Sequence, residues 1–340
     1  MSLRRKSFVF LLPLLWGLLL STSRTAFAED YTTYRLDRDM VEVPFEYYQH
    51  QIIIKAKVND KADLTFMLDT GATSVVLHKG AGVKAEKTGT TEFREAEGKS
   101  LADTVNLEEV TFGNNEAEAH IGNLPAMVTN LGNLSRALAK KIDGIMGIAA
   151  IAGYIVEFDY AKKVVRLYLS RKKSIAENKP DNKKTFMFDL TPMNLTSSIS
   201  VMLLKGRLHD SYDYDFLFDT GFGGHITISN TAASAAGQLK ENTPRIEAGA
   251  YSLNRKFNTV KIRTPYLMIG EINYTGHAVQ IDYRNQGEVG LFGIIGNRFF
   301  QNYRVTLDYT KRKLWLERND SPEDFDESEK PSFGITLRTT

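Results

Sequence analysis

Two short strings hold the residues best suited to chemistry. Phe66-Met67-Leu68-Asp69-Thr70-Gly71 and Phe216-Leu217-Phe218-Asp219-Thr220-Gly221 share one pattern, three large apolar residues and then Asp-Thr-Gly, 150 positions apart. A carboxyl group takes a proton when ionised and gives one when neutral, so a repeated aspartate is a candidate for acid–base work. One Asp-Thr-Gly alone reads as a turn, since Asp and Gly both favour turns, and average composition supplies one in about a tenth of chains this long. The rest of the repeat reverses that reading. Gly144-Ile145-Met146-Gly147 returns as Gly293-Ile294-Ile295-Gly296, offset by 149, and the copies then align without a gap for over twenty residues. Tyr154 matches Tyr303, Val156 matches Val305, Asp159-Tyr160 matches Asp308-Tyr309, Lys162 matches Lys311 and Leu167 matches Leu316. Asp-Thr-Gly precedes Gly-apolar-apolar-Gly by 75 residues in one copy and 74 in the other. Self-similarity in fixed register marks a duplicated structural unit.

The elements that must position these aspartates are mostly strands. Gln51 to Val58, Leu64 to Leu68, Ser74 to Leu77 and Leu107 to Phe112 are rich in β-branched and aromatic residues. Val156-Phe158-Tyr160 alternates with Glu157 and Asp159, turns at Ala161-Lys162-Lys163 and returns through Val164 to Leu169; Val305 to Leu316 repeats this hairpin. Short helices are expected at Asn133 to Lys141, Asn230 to Leu239 and Asn297 to Tyr303, the second capped by Ser229 or Asn230. The charged, proline-bearing stretch Arg171 to Lys184 reads as a linker, and Asn319 to Pro331 as an acidic, solvated tail. The expected division is a signal peptide at 1–28, one lobe at 29–175, a second at 176–318 and a flexible tail at 319–340.

The chain has 340 residues, 42% hydrophobic and 25% charged, enough for one large or two modest cores. Its first residues are unlike the rest. Arg4, Arg5 and Lys6 precede an apolar run from Phe8 to Leu20, and Ala26-Phe27-Ala28 supplies a small-x-small cleavage pattern. The run is short for a membrane span, so removal after Ala28 and export to a periplasm or the exterior are expected, without stable membrane insertion of the mature chain. Cleavage takes away Arg4, Arg5, Lys6 and Arg24 and no acid, moving the formal charge from +2 to −2. That balance argues against a nucleic-acid partner. The absence of cysteine excludes disulfides, thiol nucleophiles and cysteine–zinc sites.

Other motifs fall away. Gly98-Lys99-Ser100 has Phe93 where a phosphate loop needs its first glycine, and no i, i+4 histidine pair, His-Glu-x-x-His or Gly-x-Ser-x-Gly occurs. No metal and no cofactor are expected. Asp143-Gly144 reads as a turn, and His225, though near Asp219 in sequence, reads as a core or surface histidine.

Over residues 45–318 the arrangement resembles the aspartic peptidases, both the bilobal pepsin type and the dimeric retropepsin type. Asp69-Thr70-Gly71-Ala72-Thr73 is close to the retropepsin form, and Gly293-Ile294-Ile295-Gly296-Asn297-Arg298 is similar to the strand and short helix behind its catalytic loop. The resemblance implies a mainly β, bilobal double β-barrel built by internal duplication, with a few short helices. It implies one aspartate per lobe, Asp69 and Asp219, at the base of a cleft on a pseudo-twofold axis. Two carboxylates about 3 Å apart share one proton; the charged one would activate a water while the other protonates the substrate carbonyl. Thr70 and Thr220 would bond across to the opposite loop, and Gly71 and Gly221 would let the loops approach. The resemblance also implies a flap hairpin, with its turn at Glu97-Gly98 or at Ala248-Gly249-Ala250.

The chain departs from the pepsin pattern at Ala72 and Phe222, where a hydroxyl would bond the outer carboxylate oxygen. Two functions are compatible with the sequence. One is a monomeric aspartic endopeptidase acting on peptide or unfolded protein. The other is a non-catalytic module of the same fold that binds peptide or another ligand in the cell envelope.

Overall fold

The computed structural model describes residues 32–95, 98–169, 184–194, 199–209, 212–251, 256–283 and 292–320. The expected signal segment, nearly all of the linker and the tail beyond 320 lie outside the described residues.

The protein is mainly β, as expected, and the duplication is visible in its strand order. The first half runs β1 (Thr33–Leu36), β2 (Met40–Tyr48), β3 (Gln51–Val58), β4 (Lys61–Leu68) and β5 (Val75–His78). A hairpin of β6 (Lys87–Glu95) and β7 (Gly98–Gly113) follows, then β8 (Glu118–Thr129), helix α1 (Gly132–Leu138) and β9 (Gly144–Met146). The half closes with β10 (Tyr154–Asp159) and β11 (Val164–Leu169). The second half begins with β12 (Thr185–Asp189), β13 (Thr191–Asn194), β14 (Ser200–His209), β15 (Tyr212–Phe218) and β16 (Ile226–Ser229). Helix α2 (Asn230–Ala235), the hairpin β17 (Ile246–Tyr251) and β18 (Lys256–Arg263), and the short β19 (Met268–Ile269) and β20 (Ile272–Asn273) come next. Then come β21 (Ala278–Asp282), β22 (Gly293–Ile295), helix α3 (Asn297–Phe300), β23 (Tyr303–Asp308) and β24 (Lys313–Arg318).

Pairing follows the same rule in both halves. β4 runs parallel to β9 with Phe66 opposite Gly144, and β15 runs parallel to β22 with Phe216 opposite Gly293. β9 pairs antiparallel with β5, which pairs parallel with β8; β22 pairs antiparallel with β16, which pairs parallel with β21. The two-residue period of a strand then sorts the side chains. On β3, Ile52, Ile54, Ala56 and Val58 enter the main core, Ile53 faces the opposite side, and Lys55 and Lys57 are exposed.

The halves are joined by a six-stranded antiparallel sheet in the order β12-β24-β23-β10-β11-β2. At its centre Val156 faces Leu307, Glu157 faces Thr306 and Phe158 faces Val305. Val305 and Leu307 are the copies of Val156 and Phe158, so the pairing maps onto itself about the Glu157–Thr306 pair. That pair marks the pseudo-twofold axis.

All three helices are shorter than the sequence suggests. α1 stops at Ala139, which takes a left-handed φ of 49°, before Lys140 and Lys141. α2 is capped by Ser229 Oγ, which accepts from the Ala232 N–H at 3.1 Å, and ends ahead of Gly237, whose φ is 67°. α3 lasts one turn, because Tyr303 is recruited into the inter-lobe sheet. Ala248-Gly249-Ala250 lies inside β17, paired with Thr259, Asn258 and Phe257 of β18, and is not a turn. In the first half Gly98 opposes Glu95 at the tip of β6–β7, and residues 96 and 97 lie outside the described set. No helix among the described residues is long and apolar enough to cross a membrane.

Candidate active site

Asp69 and Asp219 each sit one residue past a central parallel strand. The strand's partner holds the aspartate backbone: the Asp69 N–H donates to Met146 O at 2.9 Å, and the Asp219 N–H to Ile295 O at 3.1 Å. This is why each Asp-Thr-Gly travels with a Gly-apolar-apolar-Gly. The loops are also tied from beyond the glycine, by Ile148 N–H to Ala72 O and Asn297 N–H to Phe222 O, both 2.8 Å.

The two loops meet. Thr70 N–H donates to Thr220 Oγ1 and Thr220 N–H to Thr70 Oγ1, each at 3.0 Å. The hydroxyls pass the bond on, Thr70 to Phe218 O and Thr220 to Leu68 O, again at 3.0 Å. Every polar group of this cross-link is buried and satisfied. The glycines permit the approach. A Cβ on Gly71 would lie 2.6 Å from Asp219 Cγ, and one on Gly221 would lie 2.3 Å from Asp69 Cγ. No other residue type fits at either position.

Both carboxyl groups are fully buried. The inner oxygen of each accepts from its own loop, Asp69 Oδ1 from Gly71 N–H at 2.8 Å and Asp219 Oδ1 from Gly221 N–H at 2.7 Å. The outer oxygens, Asp69 Oδ2 and Asp219 Oδ2, accept from no N–H or O–H of the protein. Ala72 and Phe222 explain this, because neither offers the hydroxyl that could reach them. Each carboxyl lies within hydrogen-bonding reach of the other. Burial raises the Asp69 pKa to about 6, against the pull of its hydrogen bonds to Asp219 and to the Gly71 N–H. Burial and then the Asp69 charge push Asp219 well above the ordinary carboxylate range. Near neutral pH the pair therefore holds one proton between two carboxyls, an acid beside a base, and takes up a second as pH falls through the Asp69 value of about 6.

Phe222-Gly223-Gly224 has a packing explanation. The Phe222 ring is buried with Leu203, Leu217, Ile294 and Ile148, and a Cβ on Gly224 would sit 2.3 Å from its Cζ. Gly223 receives the β2–β3 turn of the other half: a Cβ there would lie 2.7 Å from Gln51 Nε2 and 3.2 Å from Gln49 O.

Three further residues at this junction have no assigned role in the sequence reading. Asn297 is fully buried; its Nδ2 donates to Thr220 O and, at 2.9 Å, to His50 O, while its Oδ1 accepts from Tyr160 O–H at 2.7 Å. It thus braces the second aspartate loop against the first half. The signal for it lay in the repeat, where its copy is the apolar Ile148. Gln51 is fully buried and neither of its amide atoms has a partner. Burial and the nearby Arg298 lower the His50 pKa to about 4, so the ring beside this junction is neutral. Two other candidates are structural. Asp143 accepts from Thr65 N–H at 3.0 Å and pairs with Lys141 at 2.8 Å. His225 is a core histidine, its Nδ1 3.0 Å from Tyr274 Oη. Among the described residues no group of three or more His, Cys, Asp or Glu is placed to hold a metal.

A family model described as aspartyl protease matches residues 54–150, from β3 through the first Asp-Thr-Gly to just past Gly147. The match makes that stretch similar to the aspartic peptidases and supports a hydrolase of the peptidase class. No curated protein matches the chain.

Proposed function

We propose that the protein is a single-chain aspartic endopeptidase in which Asp69 and Asp219 act as a dyad sharing one proton. The observation that carries this reading is the crossed approach of the loops, in which each glycine faces the carboxyl of the other half with no room for a Cβ. A pair of buried acids without another donor on either outer oxygen is costly for a purely structural junction, and a reacting water and carbonyl are what those oxygens can serve. The ionised carboxyl takes a proton from a water as that water attacks the peptide carbonyl carbon. The protonated carboxyl gives its proton to the carbonyl oxygen, producing a neutral gem-diol. A proton returned to the amine nitrogen then accompanies C–N cleavage, and no acyl-enzyme forms. Thr70, Gly71, Thr220 and Gly221 fix the spacing on which the shared proton depends.

The dyad has no exposed surface, so substrate reaches it only when its cover parts. The β6–β7 hairpin is the element suited to lift, because its Ala102 packs in one cluster with Ala72, three residues past Asp69. In this reading the chain works as a monomer after export, on extended peptide or unfolded protein, with no cofactor. The test is cleavage of a denatured protein across about pH 3 to 8 by the wild type, Asp69→Asn and Asp219→Asn. Wild-type cleavage with a bell-shaped pH profile, abolished in both variants, is expected. Full activity in Asp219→Asn would overturn the dyad; peptide binding without cleavage by any form would make the chain a ligand-binding module.

A further inference from the structure

The sheet face beside each aspartate loop forms a wall running from that loop to the neighbouring hairpin, and the two walls differ in chemistry. In the first half it comprises Ile53, Met67, Ile145, Val76, Met127 and Ala102, packed with Ala72. The copies in the second half follow from strand register. Val76 opposes Ile145 and Thr227 opposes Ile294, so Thr227 stands in the place of Val76. Val76 is level with Met127 and Thr227 with Gln280, so Gln280 stands in the place of Met127. Met127 opposes Thr104 and Gln280 opposes Lys261, so Thr259 stands in the place of Ala102. The wall of the second half is thus apolar at Leu203, Leu217, Ile294 and Phe222, and polar where it approaches its hairpin.

Thr227, Thr259 and Gln280 are at most 4% exposed, and Thr227 Oγ1, Thr259 Oγ1 and Gln280 Nε2 have no hydrogen-bond partner. They lie on three adjacent strands, roughly 4.8 Å apart, on one face. Lys261 and Asp282, on the same face, have interactions of their own. A buried polar group left unmade is destabilising. The fold does not require these groups, because the first half fills the same three positions with Val, Met and Ala.

We propose that Thr227, Thr259 and Gln280 form a specificity pocket for a substrate side chain bearing a carboxamide, asparagine or glutamine, while the opposite wall takes an aliphatic side chain. Gln280 Nε2 donates to the amide oxygen, and the threonine hydroxyls accept from the amide NH2 or donate to its oxygen. A carboxylate is disfavoured by the negative charge shared between Asp69 and Asp219. A site built for a hydrogen-bonding group discriminates against an isostere lacking it, because its own polar groups are then left unpaired.

This inference rests on the peptidase reading, and the experiment separates the two. Peptides carrying Gln or its near-isostere Met are scanned through the positions on either side of the cleaved bond. Wild type is expected to prefer Gln at one position by ~10-fold or more in kcat/KM. Substituting the first-half residues, Thr227→Val, Thr259→Ala and Gln280→Met, is expected to abolish that preference, favour Met instead and raise the melting temperature. Thr227→Val alone, which keeps the side-chain shape, gives a partial shift should the triple variant not fold. An active wild type with no Gln preference at any position, or a preference that survives the substitutions, overturns the pocket. If the wild type cleaves nothing, the same peptides are titrated for binding. A Gln preference lost on substitution then upholds the pocket while the peptidase reading falls, and binding without preference, or no binding, overturns both.

Discussion

Thr70 and Thr220 hold one another by the same bond in both directions, backbone N–H to opposing Oγ1 at 3.0 Å. Each hydroxyl then donates to the carbonyl of the residue before the opposite aspartate. The cross-link fixes the two aspartate loops against each other through groups that never ionise, so it keeps its geometry whatever the protonation of the pair.

Thr70→Val tests that cross-link. It keeps the shape but leaves the Thr220 N–H and the Phe218 carbonyl buried without partners, at about 1–3 kcal/mol for each group. A loss of roughly 2–6 kcal/mol is expected in urea denaturation, with Thr70→Ser retaining most of the stability. A change below about 0.5 kcal/mol, the level of an ordinary surface substitution, would show that the bonds contribute little.

The carboxyl pair makes a prediction about pH. Both groups hold a proton more tightly in the folded protein than an unfolded Asp, which titrates near 3.9. The folded state therefore binds more protons, and the pair's contribution to stability falls as pH rises from about 4 through the Asp69 value of about 6. Asp219→Asn removes the charge conflict. Its melting temperature is expected to exceed that of the wild type at neutral pH, with the gap closing toward pH 4. A gap that widens as pH falls would contradict the raised values.

Glycine substitutions separate two kinds of contact. Gly71→Ala drives a methyl into the Asp219 carboxyl, and Gly221→Ala does the same to Asp69. Both carboxyls are fixed by backbone bonds, so loss of ~100-fold or more in cleavage is expected, in line with the cost of a 1 Å misplacement. Gly223→Ala meets the end of the Gln51 side chain first, which can rotate away, and the effect should be several-fold smaller. Equal losses at Gly71 and Gly223 would show that the crossed approach is not special.

What was legible in the sequence was what the duplication wrote twice. Asp69 and Asp219 stood out because each apolar-Asp-Thr-Gly string pairs in parallel with a Gly-apolar-apolar-Gly string, and that pairing constrains both. Strand β3 was read to its ends, because its apolar alternation meets a turn on either side. Helix α3 was read too long, since no local signal tells a helix that Tyr303 is needed by a sheet partner in the other half. Asn297, Gln51 and the polar trio at Thr227, Thr259 and Gln280 were missed for the opposite reason: they are the places where the copies differ, and their neighbours come from distant strands. A difference between copies gains meaning only when register puts it opposite something.

Asn297 carries such a difference. Asn297→Leu removes the donor to Thr220 O and His50 O and leaves Tyr160 O–H, itself buried, without its acceptor. A destabilisation of about 2–4 kcal/mol is expected from the groups left unpaired, read by urea denaturation. Asn297→Asp, which keeps the acceptor for Tyr160 and loses the donor, should lie between wild type and Leu unless its buried charge dominates. Measuring both at pH 4 and pH 7 resolves that, since the Asp variant adds a pH dependence to the one that the carboxyl pair gives wild type and the Leu variant alike. A Leu variant as stable as the wild type would show that the brace is dispensable.

The last prediction concerns why the protein needs two unlike halves in one chain. In the inter-lobe sheet the axis passes between Glu157 and Thr306. Two copies of the first half, docked by the same register, would place Glu157 against Glu157 at that central pair. Like charges directly opposite on adjacent strands are destabilising, and Arg166, which bonds Glu157 at 2.7 Å, is already shared with Glu42 and Asp159. A fragment of residues 29–175 is therefore expected to remain monomeric at micromolar concentration in sedimentation, and to cleave nothing, having Asp69 without Asp219. Glu157→Thr copies the second half at the axis, and it should shift the fragment toward dimers, with any activity rising as the square of concentration. Tight dimers of the unsubstituted fragment would show that Glu157 does not guard the axis. Activity independent of concentration would mean that one aspartate suffices and would remove the two-carboxyl mechanism altogether.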